Sequence, residues 1–184
     1  MSAQNFDKSL QLILKSEGGF TMNPLDAGNK LPDGRQGCTN KGITQASWEE
    51  FVGHPVTTND MRNLTQEQIS RFYKAKYWAT AKCDQLPSGL DYAVFDFAIN
   101  AGVGRAIKTL QQAIGINADG LIGSVTLFEL ARCNANSIID KYSEKKIEFY
   151  QELVARKPSQ NIFLKGWLNR VSVTRQDAKS LVSH

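Results

Sequence analysis

Residues 90 to 99, LDYAVFDFAI, are apolar nearly all round. A helix with apolar residues on every side cannot lie on a surface, so this stretch demands a shell of other elements around it. Asn100-Ala101-Gly102 supplies its stop. The segments available for the shell keep the 3.6-residue period: RAIKTLQQAIG, SVTLFELARC and the long SIIDKYSEKKIEFYQELVARK, which Pro158 closes. A final helix is expected from about Phe163. With 184 residues, 41% of them apolar, the chain can bury such a core as one domain or two tightly joined lobes.

Upstream, Phe6, Leu10, Ile13 and Leu14 recur three or four residues apart and predict a first helix through Lys15 with one buried face. Glu17 stands four residues after Ile13, at the edge of that apolar stripe. Gly18 and Gly19 suit a left-handed helix stop, which leaves Glu17 in the last turn. The helix dipole there disfavours a carboxylate, a position that suits a general acid. Taken alone, the string fits an ordinary exposed glutamate before a glycine cap far better. The next stretch, TMNPLDAGNKLPDGRQGCTNKGIT, is rich in Pro, Gly, Asn and Asp and has room for a small β-hairpin. Thr44 can cap a helix carrying Trp48 and Phe51. Thr65 with Gln68 forms a capping-box pattern that opens TQEQISRFYKAKYWA.

A net charge of +4 and a pI near 9.0 favour a polyanionic partner: a cell wall, a lipopolysaccharide or a nucleic acid. Lys141, Lys145, Lys146, Arg156 and Lys157 alternate with acids on an amphipathic helix, which reads as a solvated face rather than a nucleic-acid surface. Cys38, Cys83 and Cys133 are odd in number and scattered, as inert reduced thiols are. Two histidines, His54 and His184, are poor raw material for a catalytic zinc site, and no Gly-x-Ser-x-Gly elbow is present. The glycines of NAGVG follow no strand and no Walker lysine occurs, so phosphate-loop chemistry is excluded. What remains is carboxylate chemistry, expected to need no metal and no cofactor.

Five segments together resemble the muramidases of glycoside hydrolase family 108, the Glu-Gly-Gly group of phage and prophage endolysins in the lysozyme-like superfamily. They are LKSEGGF, NPLDAG followed by GCTNKGIT, FDFAINAGVGRAIKTLQ, DGLIGSVTL and FLKGWLNRV. Their common order and compatible spacing across nearly the whole chain carry the resemblance. It implies a mainly α (α+β), lysozyme-like two-lobe fold. Residues 1–88 would form the catalytic region with a small β-hairpin, and residues 89–184 a helical lobe of peptidoglycan-binding type. It further implies hydrolysis of the β-1,4 bond between N-acetylmuramic acid and N-acetylglucosamine, with peptidoglycan as partner and no cofactor.

Carried over residue by residue, the resemblance makes Glu17 the acid, Asp26, nine positions on, the second carboxylate, and Thr39 the hydroxyl that holds water or substrate. Asp96 and Asn100, four apart on one face of the central helix, are read with Asn40 as substrate-binding, the alternative for the first two being that they satisfy backbone groups at the helix end, while Trp167 is expected to pack in the core. One departure stands out: NKLPDGRQ lies between Gly28 and Gly37, where the family places two glycines side by side. It reads as a longer hairpin tip whose removal, from Asn29 to Gln36, would be tolerated, and it introduces Asp33 as a rival to Asp26. MSAQNFDKSLQLILK has no secretory pattern and no stretch long enough to span a membrane. The expectation is a monomer made in the host cytoplasm that reaches the wall through a separate pore protein. The basic segment after Phe163 is read as core packing first, with contact to an anionic outer membrane as the alternative. The competing reading is a non-catalytic peptidoglycan-binding or secretion-helper protein.

Overall fold

The computed structural model describes residues 2–23 and 27–182. The chain divides into two compact units, one of Met1–Phe6 with Tyr77–His184 and one of Asp7–Lys76. The sequence reading places the division at 88/89.

The second unit holds most of α1 (Ser2–Ser16), whose Leu10 and Ile13 are buried as the period requires. It also holds a two-stranded antiparallel sheet of β1 (Thr39–Asn40) and β2 (Ile43–Thr44), paired Thr39 to Thr44 and Asn40 to Ile43. Three helices follow: α2 (Gln45–Val52), α3 (Thr58–Arg62) and α4 (Gln66–Tyr73). Their starts are written locally. Thr44 accepts from the Ser47 N–H, and Thr65 with Gln68 forms a reciprocal capping box. A second box, Thr57 with Asp60, opens α3, which the sequence reading does not anticipate. Trp48, Phe51, Phe72 and Tyr73 pack ring on ring at 5.4 to 6.0 Å between centroids. Beyond Tyr73 the expected helix loosens into a π-turn, Lys74–Ala79, where the chain passes from one unit to the other.

The inserted segment is a small hairpin. Lys30 bridges Gln36, the Leu31 N–H donates to the Arg35 carbonyl, and Leu31 is buried. Its tip carries Asp33, about half exposed and paired with Arg35 at 2.7 Å. The root of this hairpin is structural, so deleting Asn29 to Gln36 would remove packed residues as well as the tip. Asn29 is 1% exposed, and the Gly37 N–H donates to its carbonyl at 2.7 Å.

The other unit is built around α5 (Leu90–Ala101), of which every residue from Leu90 to Ala98 is buried. The remaining helices are α6 (Val103–Ala113), α7 (Ser124–Ala131), α8 (Ala135–Arg156) and α9 (Asn161–Leu181). Phe6, Trp78 and Phe95 form an aromatic triangle with centroids 5.3 to 5.9 Å apart. Trp167 stacks on Tyr150 at 4.9 Å. Gln111, on α6 and 1% exposed, donates to Asp119 and the Leu121 carbonyl and accepts from the Gly120 N–H, so the Asp-Gly-Leu-Ile-Gly loop is moored by one amide.

One expectation about charge is corrected here. Lys146 does not belong to a solvated face: it is 2% exposed, and its ammonium lies 3.2 Å from Asp96. Burial pulls its pKa down, against the opposing pull of Asp96. Three cations of the last segment are engaged by acids. Arg170 pairs with Asp96 at 2.9 Å, and Arg175 and Lys179 both reach Asp140 at 2.6 Å. Among the described residues no helix is long and apolar enough to cross a membrane.

Candidate active site

The hairpin turn is the key to the site. β1 and β2 are joined by two residues that both take left-handed backbone, Lys41 (φ 50°) and Gly42 (φ 77°), as the type I′ form of such a turn needs. Gly42 is needed for a second reason. A methyl group there would lie 2.6 Å from the Tyr73 hydroxyl oxygen and 2.7 Å from Glu17 Oε2. Thus the turn, the Glu17 carboxyl and the Tyr73 phenol meet at one point with no room for a side chain. Tyr73, 1% exposed at the end of α4, donates its hydroxyl to the Lys41 carbonyl at 2.8 Å and so fixes the turn against the helix.

Glu17 follows α1 directly, its N–H bonded to the Ile13 carbonyl at 3.2 Å, and it is partly exposed. Neither Gly18 nor Gly19 takes a left-handed conformation, which corrects the expected helix stop. Both are exposed and have open space where a side chain would project, so the chain beside Glu17 offers bare backbone to solvent. From there it runs into a bridge: Thr21 and Thr39 exchange backbone hydrogen bonds at 2.8 and 2.9 Å. Phe20, just before Thr21, carries the Arg62 guanidinium 4.1 Å above its ring.

Thr39 therefore sits in the middle of a three-threonine ladder, Thr21, Thr39 and Thr44. Its side chain has a fixed partner in Asn29 Oδ1 at 2.8 Å. The Asn29 amide nitrogen is occupied by the Asn23 carbonyl at 3.0 Å, so the oxygen faces Thr39 and the threonine hydroxyl must be the donor. Its lone pairs then remain to accept from a water or a sugar hydroxyl.

The other expected site residues are placed as follows. Asp26 lies outside the described residues. Asn40 is 7% exposed, and its amide donates to the Met61 carbonyl at 2.8 Å, tying the hairpin to the end of α3. Asp96 is 3% exposed and belongs to the other unit, where Lys146, Arg170 and Thr174 surround its carboxylate. Asn100 is exposed and donates to the Asp96 carbonyl at 2.7 Å, closing the end of α5. Asn40 and Asp96 both hold scaffold contacts in this structure. Asp33, the rival acid, is held at the hairpin tip, and the Arg35 N–H and guanidinium keep its carboxyl below the usual range.

Gly42, Tyr73 and Asn29 are absent from the sequence-derived site. Gly42 had a signal in Asn-Lys-Gly, good hairpin-turn chemistry, but nothing local connects it to Glu17.

Residues 10–102, just over half of the chain and the whole of this constellation, match the family described as glycosyl hydrolase 108. The chain belongs to glycosyl hydrolase family 108. It is a glycoside hydrolase acting on peptidoglycan, with the mainly α, lysozyme-like fold. Residues 105–172 match a second family, described as a predicted peptidoglycan domain. Among solved structures the chain is similar to that of SagA from Brucella abortus, at 31% identity and a TM-score of 0.82, covering 99% of this chain and 98% of that one. No curated protein matches it.

Proposed function

We propose that this family 108 hydrolase is a muramidase that cleaves the β-1,4 bond between N-acetylmuramic acid and N-acetylglucosamine, with Glu17 as general acid. The observation that carries the assignment is the seat of Glu17. Its carboxyl is keyed against a turn that tolerates no side chain, beside bare backbone open to solvent, within the segment that matches the family. Glycoside hydrolysis needs an acid to protonate the leaving oxygen and a second group to manage water or the developing cation. Glu17 gives the first. Thr39, its proton committed to Asn29, accepts a hydrogen bond from the attacking water and orients it, and Asp26 is the second carboxylate in this reading.

Digestion of purified peptidoglycan followed by mass spectrometry of the products tests the bond. New N-acetylmuramic reducing ends are expected; new N-acetylglucosamine ends or free peptide amines would overturn it. Glu17→Gln should retain the fold and lose at least a hundredfold in rate, the low end for a positioned acid. A Gln variant within about tenfold of an active parent would remove Glu17 from the mechanism, whereas a parent that binds the wall without hydrolysing it would favour the wall-binding or secretion-helper reading. The endolysin role, with release through a separate pore protein, belongs to the same proposal. Expression with and without a pore-forming protein checks it, because lysis without the pore would contradict that route.

A further inference from the structure

The unit that carries the second match contains a cavity of about 370 Å³, within the size range of small-ligand sites, roughly 300 to 1,000 Å³. Its walls come from two helices. Arg105, Thr109 and Gln112 follow one another at four and three residues along a face of α6. Lys145, Glu148, Phe149 and Glu152 do the same along α8. All seven fall within the residues matching the peptidoglycan domain.

The chemistry of the walls is that of a charge reader. The Arg105 guanidinium lies 5.1 Å over the Phe149 ring and makes no ion pair with any described residue. Phe149 is held in turn by the edges of Phe97 and Tyr150, at 5.5 and 5.3 Å. A planar cation stacked on a fixed ring is preorganised to take a carboxylate in its fork. The other charges are paired at the surface, Lys145 with Glu148 at 2.7 Å and Glu152 with Arg156 at 3.1 Å, and pairs this exposed exchange partners at little cost. With Arg105 covering the face of Phe149, the cavity lacks the open aromatic platform on which a sugar ring would stack.

We propose that this cavity binds the peptide stem of peptidoglycan: Arg105 takes a stem carboxylate, and Glu148 or Glu152 takes the side-chain amine of the third stem residue. The inference rests on the reading of this chain as a peptidoglycan hydrolase, and it places substrate recognition in the cavity separately from bond cleavage at Glu17.

Calorimetric titration with two free tetrapeptides, L-Ala-γ-D-Glu-X-D-Ala with X either L-lysine or meso-diaminopimelate, tests it on the full chain. At least one should bind, with equal affinity for the parent and for Glu17→Gln. Arg105→Ala should weaken that binding tenfold or more, and Arg105→Lys should restore only part of it, because the ammonium lacks the fork. Arg105 is exposed, so both variants should fold; matching circular dichroism and melting curves check this. The proposal is overturned if neither peptide binds, if Arg105→Ala binds as the parent does, or if peptide-free glycan strands bind and lose affinity in Arg105→Ala. Peptide binding without any hydrolysis would sink the muramidase reading and leave this one standing. Hydrolysis without peptide binding would do the reverse.

Discussion

Gly42 is held by two independent constraints, a left-handed φ and the close approach of Glu17 and Tyr73. Gly42→Ala is therefore expected to cost about 1–2 kcal/mol from the backbone alone. It should also lower turnover by roughly a hundredfold, as displacement of a catalytic group by about an ångström does. Denaturant unfolding and hydrolysis of soluble wall fragments measure the two effects separately; unchanged turnover would detach Glu17 from the turn. Asn29 meets Thr39 through its side-chain oxygen and the Asn23 carbonyl through its side-chain nitrogen. Asn29→Ala should free the Thr39 hydroxyl and reduce kcat about tenfold or more with little change in KM, the low end for losing an orienting partner. Asn29→Asp, which keeps an acceptor for that hydroxyl, should recover part of the loss, and a variant series with equal kcat would refute the positioning role. Asp33→Asn, at the exposed tip, should behave as the parent.

At the scale of elements, the hairpin of the insertion, α2 and the loop behind it converge on one carboxylate. Glu49 accepts from the Val56 N–H at 3.1 Å and from the Gln45 amide at 3.0 Å, and Arg35 approaches it at 3.3 Å. The Val56 N–H, then the Gln45 amide and the charge of Arg35, hold its carboxyl below the ordinary 4.5. The unfolded chain therefore takes up this proton more readily than the folded one. The stability Glu49 contributes is complete above about pH 4.5 and is lost as the pH falls through the folded-state value. In Glu49→Gln that share of the acid slope should vanish when unfolding is followed from pH 6 down to about pH 3. A slope identical to the parent's would show that Glu49 contributes nothing to acid sensitivity. Helix starts were legible locally: the caps at Thr44 and Thr65 stand where the sequence puts them, because a cap joins residues only three apart. The helix end at Glu17 was less so, since glycine permits a left-handed stop without requiring one.

For the molecule as a whole, the buried cluster of Asp96, Lys146, Arg170 and Thr174 joins α5, α8 and α9. Asp96→Ala would leave Lys146 charged and enclosed without its counter-ion, and should destabilise the protein by about 3–5 kcal/mol. Denaturant unfolding measures this. A stable Asp96→Ala variant with a raised KM would instead return Asp96 to substrate binding. The net charge of +4 should make retention on intact wall fall with salt more steeply than hydrolysis of short soluble fragments does. The apolar periods, the all-round apolar helix at Leu90–Ala101 and the run that ends at Glu17 could be read directly, because each depends on residues within a few turns of one another. Other features had no local trace: Tyr73 reaches a carbonyl 32 residues away, and Lys146 reaches a carboxylate 50 away. Whether a charge is buried, or a glycine faces an acid, depends on which distant segments close over it, and that follows from packing.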